Sequence, residues 1–263
     1  MHNHYSQAGK TAEDPEQHKA HIEQMVAYYR RTARNYDTWH RNHADSSHEA
    51  AVRKVLELMS SRRLKNVLDV CCGTGRCVAA AGAAGFDATG IDVSQELLDE
   101  GIKECGIPVE RMICGDATKL PFPDKFFDVS CILGALHHTA MPHSIIEEMI
   151  RVSRVGIVVS DEANHLHGAI RNILIGLGVF DPVYRFIFRR EPKTKRRAME
   201  SEGDGPTFDF TVEEVIPTLR QHFQEFQSTS FIRVGDRQFR LPWYPRFFAT
   251  QAVIVANTPT PKE

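Results

Sequence analysis

The sequence predicts a doubly wound α/β fold, a mostly parallel seven-stranded sheet with an N-terminal helical segment and an inserted helical lid. Three observations carry the prediction. From Val67 to Ser160, short apolar runs alternate with amphipathic stretches, the pattern of successive strand and helix units. The first run ends in Gly73-Thr74-Gly75 and opens directly into an Ala-rich helix. The chain has 263 residues, of which 42% are hydrophobic, enough for one or two domains around a sizeable core.

Residues 1–20 hold few apolar groups and are expected to form a frayed arm. From His21, Ile22, Met25, Val26 and Tyr29 recur at helical spacing, and a second helix is expected from Ser47 to Ser60 on Val52, Val55, Leu56 and Met59. Together these make a helical segment over 21–62. Over 63–162 the expected strands are Val67–Cys71, Ala88–Val93, Arg111–Gly115, Phe127–Leu133 and Gly156–Ser160. Between them lie helices from Val78 to Ala84, after the cap residue Ser94, and from Ile145 to Val152. The rhythm breaks after Asp161: residues 165–188 are apolar with interspersed aromatics, and 163–210 read as an insert. A helix over Val212–Gln221 and two strands, Phe226–Val234 and Phe248–Ala256, complete 211–263, the strands joined by a Pro-interrupted loop.

Lys and Arg number 32 against 34 Asp and Glu, a formal charge of −2, which argues against a generally basic nucleic-acid coat. No apolar run approaches the roughly 18 residues that span a bilayer, and the polar N-terminal stretch has no secretory signal, so a cytoplasmic protein is expected. The six cysteines, at 71, 72, 77, 105, 114 and 131, sit in apolar contexts and read as free thiols. Without a C-x-x-C pair, and with His165-Leu-His167 lacking a carboxylate beside it, no metal is expected.

In a doubly wound sheet, ligands bind outside the carboxyl ends of the strands where strand order reverses. Glycines at 73 and 75 let a ligand approach the backbone, and the helix after them offers free N–H groups. Asp92 ends the second strand, 17 residues beyond Gly75, a place from which a carboxylate accepts ribose hydroxyls. Asp116 ends the third strand beside the same cleft. A nicotinamide dinucleotide is disfavoured, because Val78 stands where the third glycine or alanine of G-x-G-x-x-G belongs.

As a set, LDVCCGTGR, GIDVS, GDATKLPFPDKFFDVS, ILGALHHT and EEMIRVSR, within residues 64–162, resemble the class I S-adenosylmethionine-dependent methyltransferases. The resemblance is to the branch that includes the ubiquinone and menaquinone C-methyltransferases. It implies a Rossmann-like fold, a lid at the position of residues 163–210, S-adenosyl-L-methionine as cofactor and methyl transfer to a small molecule. It also implies that Asp69 lies near the methionyl amino group and that Cys71, Gly73, Thr74 and Gly75 line the cofactor. Asp92, with Val93, would hold the ribose, Asp116 and Ala117 would read the adenine, and Leu133 would touch the methionyl end. Tyr29 to Asp37, as Y-x-x-x-A-x-x-Y-D, is similar to a family pattern whose helix closes over the cofactor, which adds Tyr36 to the cofactor set. Two departures from the family pattern stand out: Cys71 replaces the usual first glycine, and RVSRVGIVVSD lacks the usual Lys-Pro-Gly-Gly turn.

His137 and His138 follow the fourth strand, where a neutral imidazole takes a proton near pH 7 or serves as a hydrogen-bonded structural residue. Tyr28, Tyr29, Glu162, Asn164 and His165 are candidates for the acceptor pocket. The lid's aliphatic and aromatic content points to a hydrophobic or aromatic acceptor, with O-methylation favoured over C- or N-methylation. Seven Lys and Arg between 185 and 197 give residues 165–197 two readings, a solvated basic face or contact with an anionic membrane surface. A cofactor-binding subunit without its own catalysis is the remaining alternative. A nucleic-acid acceptor is disfavoured by the charge and by Leu133-Gly134-Ala135-Leu136 where an Asn-Pro-Pro-Tyr-type motif would stand. Nothing in the sequence fixes the oligomeric state.

Overall fold

Asp14 and Pro15 start the first helix. The Asp14 carboxylate accepts the N–H groups of Glu16 and Gln17, and a proline at the first helical position has no N–H to leave unpaired. Helix α1 therefore runs Pro15–Asn42, six residues earlier than the apolar periodicity from His21 implies. The computed structural model describes residues 14–42, 46–162, 198–201, 205–208, 210–234, 237–241 and 251–259.

The chain continues through α2 (Ser46–Ser61), β1 (Asn66–Val70), α3 (Arg76–Ala83), β2 (Asp87–Asp92), α4 (Gln95–Cys105), β3 (Met112–Cys114), β4 (Phe127–Leu133), α5 (Pro142–Val152) and β5 (Ser153–Glu162). A hairpin, β6 (Ala198–Ser201) and β7 (Gly205–Phe208), precedes α6 (Ile216–His222), β8 (Glu225–Val234), β9 (Arg237–Leu241) and β10 (Gln251–Asn257).

The main sheet has the order β3-β2-β1-β4-β5-β10-β8-β9. Strands β1 to β5 pair in parallel, whereas β10 is antiparallel to both β5 and β8. Seven of these strands match the expected frame. The eighth, β9, falls where the sequence reads as a loop; only Gly235 and Asp236 separate it from β8, the spacing of a tight hairpin. The β6–β7 hairpin is likewise extended structure inside a segment expected to be helical. Residues 163–197, the rest of the expected lid and the candidate membrane-contact stretch, lie outside the described residues. The expected helix 212–221 divides into a 3-10 turn, Val212–Val215, and α6, with Pro217 in the first turn of α6.

Side-chain alternation assigns each face of the sheet to its own core. Leu68, Val70, Ile132, Ile157, Val159 and Ile254 pack with α5 and α6. Val67, Val129, Cys131, Val158 and Val253 pack with α2, α3 and α4. Helix α1 lies outside these layers, its Met25, Tyr29 and Ala33 closing on Leu97 of α4. Strand order reverses at β1, between β2 and β4, which sets a crevice at the carboxyl ends of β1 and β4. No described helix is long and apolar enough to cross a membrane.

Candidate active site

The loop after β1 turns through three left-handed residues, Cys71 (φ 54°), Gly73 (φ 56°) and Gly75 (φ 73°). Cys71 pays a side-chain clash of about 1 kcal/mol for this conformation, which glycine avoids. Several contacts fix the path. The Gly73 N–H donates to Asp92 Oδ2 at 2.9 Å and the Ser94 N–H to Asp92 Oδ1 at 2.9 Å. Each oxygen keeps a second lone pair, so Asp92 ties the loop to the end of β2 and can still accept hydroxyl donors. Burial pushes the Asp92 carboxyl up, against the N–H bonds from Ser94 and Gly73. Thr74 Oγ1 donates to Asp37 Oδ1 at 2.7 Å, tying the loop to α1.

These elements enclose a cleft of about 820 Å³, open to solvent. Its walls bring together Cys71, Gly73, Thr74, Asp92, Val93, Asp116, Ala117, Leu133, Tyr29, Tyr36 and His138 of the expected site residues. At one end, Asp116 Oδ1 accepts the N–H and the hydroxyl of Thr118, both at 2.8 Å, while His18 Nε2 lies 3.2 Å from each of its oxygens. Burial would raise the Asp116 carboxyl, but the His18 and Thr118 bonds outweigh it and hold it at about 2. At the other end, His138 Nδ1 donates to the Pro206 carbonyl of β7 at 2.9 Å.

Four expected site residues lie off the cleft wall, each for a visible reason. Gly75 caps α3, and a Cβ there would stand 2.7 Å from Ile107 and 2.8 Å from Met112, so this glycine serves packing. Asp69 is buried beneath the loop with the Cys131 thiol 3.5 Å from its Oδ1, and burial, opposed by that bond, pushes its carboxyl up to about 7. His137 Nδ1 is 2.7 Å from Asp161 Oδ1, and Asp161 Oδ2 also accepts the Leu136 N–H, so this ring holds the turn after β4. Tyr28 packs against Gly205 of β7. Glu162 ends β5, and Asn164 and His165 lie outside the described residues.

The cleft also uses residues that sequence reasoning passed over. His18 lies in the stretch expected to be a frayed arm and His21 directly after it, yet both are buried. His21 Nε2 donates to the His138 carbonyl at 2.7 Å, its ring lies 4.4 Å from that of Phe208, and burial lowers it to about 4. Asp37 closes the Y-x-x-x-A-x-x-Y-D pattern, which was the available signal for its part in the loop. Gly101 sits inside α4, where a Cβ would stand 2.1 Å from the Thr74 carbonyl oxygen.

A family model described as a methyltransferase domain matches residues 68–159. Demethylmenaquinone methyltransferases of Staphylococcus aureus are 32% identical (strain MRSA252) and 33% identical (strain JH9), each over 229 residues that make up 84% of this chain and 90% of the relative. The chain belongs to the class I S-adenosylmethionine-dependent methyltransferases. The fold agrees. A Thermotoga maritima S-adenosylmethionine-dependent methyltransferase superposes with a TM-score of 0.57 at 17% identity, over 89% of this chain and all of the other. Magnesium protoporphyrin IX methyltransferase of Synechocystis PCC 6803, with S-adenosylhomocysteine bound, gives 0.57 at 15% identity over 91% and 100%.

S-adenosyl-L-methionine supplies an electrophilic methyl group when bound. The cleft of this methyltransferase fits it chemically. Asp92 retains acceptor lone pairs for a diol, Asp116 is an ionised acceptor for an amino group, and Gly73, in a left-handed conformation (φ 56°), lines the cleft with backbone and no side chain.

Proposed function

We propose that this methyltransferase acts on a small, mainly apolar aromatic acceptor carrying an ionisable ring hydroxyl, with His138 as the base. The arrangement of His138 supports the reading most directly. A carbonyl oxygen only accepts, so the contact with Pro206 requires Nδ1 to carry the proton. With Nδ1 as the donor, Nε2 is the ring atom that would take a proton from an acidic hydroxyl. Ile22, Met25, Leu133, Ala135 and Ile145 give the cleft around it an apolar wall. Such a wall excludes water and orients the acceptor, which supplies much of the rate of a methyl transfer. Asp92, Asp116, Ala117, Cys71, Gly73, Thr74, Val93, Leu133 and Tyr36 are the proposed cofactor contacts, with Tyr29 beside the acceptor.

O-methylation follows when the ring oxygen itself is the nucleophile. C-methylation of a hydroquinone ring is the second reading, favoured by the relatives that carry the name demethylmenaquinone methyltransferase. Both begin with the same proton removal, and the product tells them apart. The test is transfer of labelled methyl from S-adenosylmethionine to a panel of phenols and hydroquinones, with kcat/KM followed against pH. His138→Ala should lose about 10²- to 10⁴-fold in kcat, with cofactor affinity retained. Turnover within a few-fold of the native enzyme at every pH would overturn the assignment.

A further inference from the structure

Beneath the cofactor loop, Asp69, Cys77 and Cys131 meet in a cluster that neither the cleft nor the proposed base uses. All three are buried, and one ligand atom from each lies within 4.8 Å of the others. The sheet register creates the cluster. Asp69 of β1 pairs laterally with Cys131 of β4, and alternation turns both toward the face covered by α3, which brings Cys77 in its first turn.

We propose that these residues form a binding site for a thiophilic divalent cation, with zinc the ion of choice. Zinc–sulfur and zinc–oxygen bonds of about 2.3 and 2.0 Å at tetrahedral angles require edges of about 3.8 Å between two sulfurs and about 3.5 Å between sulfur and oxygen. The structure has 3.7 Å between the two Sγ atoms and 3.5 Å between Cys131 Sγ and Asp69 Oδ1. Two thiolates and a carboxylate match a soft-to-borderline ion and exclude magnesium and calcium, which take oxygen ligands. The ligands sit on two central strands and a helix, so little movement is needed on binding. Each thiol loses its proton to solvent as its Zn–S bond forms, and the Asp69 carboxyl, raised by burial to about 7, gives up any proton it still holds, so one ion displaces two protons where that carboxyl is ionised and a third where it is not. Three protein ligands leave a fourth position for water or an incoming donor.

The experiment uses the full chain, reduced and dialysed against zinc and then against metal-free buffer, with bound ion measured by elemental analysis. One equivalent is expected, with two protons released per ion in weakly buffered solution at about pH 8.5, where the Asp69 carboxyl is ionised. Cadmium titration of the same protein should give a sulfur-to-cadmium charge-transfer band of two-thiolate intensity. Cys77→Ala/Cys131→Ala should lose the retained equivalent and at least 100-fold in affinity, whereas Cys105→Ser/Cys114→Ser should keep both. Absence of retained ion in the native chain, a band from more than two thiolates, or unchanged affinity in Cys77→Ala/Cys131→Ala would overturn the site. The cadmium band and proton count come from the native chain, so the conclusion survives if the buried double variant does not fold.

Discussion

Replacing Gly101 by alanine sets two physical effects against each other. Inside a helix the change ordinarily stabilises by about 1 kcal/mol, because alanine loses less backbone entropy. Here the new Cβ would stand 2.1 Å from the Thr74 carbonyl oxygen and 2.7 Å from its carbonyl carbon. Ordinary contact needs about 3.4 Å, so α4 and the loop must separate by more than an ångström, and overpacking of this kind costs about 1–3 kcal/mol or more. The clash is with backbone, which has no rotamer to escape into. We expect a net destabilisation of about 1–2 kcal/mol, read as a lowered urea midpoint at unchanged m-value, with Tm down by about 2–8 °C for a chain of this size. The displaced segment also carries the Thr74–Asp37 and Gly73–Asp92 hydrogen bonds. Calorimetric affinity for S-adenosylhomocysteine should therefore fall at least tenfold. A Gly101→Ala chain that is more stable than the native one and binds the cofactor product equally well would refute the argument.

Asp92→Asn keeps size but turns one oxygen into an N–H donor that must face the N–H of either Gly73 or Ser94. A stability loss of about 1–3 kcal/mol and a cofactor affinity lowered at least tenfold are expected, by denaturation and calorimetry. An Asn variant with native affinity would remove Asp92 from the cofactor set. His21 gives a pH signature. Its folded value of about 4 lies below the ordinary 6.5, so the unfolded chain binds the extra proton between those limits. Stability from the neutral ring is complete above pH 6.5, declines as pH falls through that window and levels off below about 4. The upper bound is about 3 kcal/mol, reduced toward about 1–2 by water at the cleft wall. His21→Gln should flatten the native stability profile between pH 4.5 and 6.5, and an identical slope in both proteins would contradict the burial argument.

Much of the cofactor half was legible because its signals are local. Gly73 and Gly75 mark the turn, Ser94 marks the helix start with its side chain accepting the Leu97 N–H, and Phe127–Leu133 begins and ends where its apolar run does. What escaped depends on partners distant in sequence. His18 meets Asp116 across 98 positions and His21 meets the His138 carbonyl across 117, and no periodicity in residues 15–21 reports either contact. His137 and His138 are adjacent and chemically identical, and only Asp161 on one side and Pro206 on the other distinguish them. Gly75 has a packing role that escaped for the opposite reason. Its motif is local, but the side chains that require the glycine, Ile107 and Met112, come from beyond α4.

The placement of β10 has a consequence for biosynthesis. Among the described residues it is the last strand, yet it sits inside the sheet, hydrogen-bonded to β5 on one side and β8 on the other. A nascent chain that has emerged through Glu162 can already pair β3, β2, β1, β4 and β5, including the entire glycine loop. The outer edge of β5, with Ile157, Val158 and Val159, then waits 89 residues for Gln251 to arrive. An apolar edge left open during synthesis is a template for strand addition by other chains. Chaperone engagement during translation should concentrate on that interval.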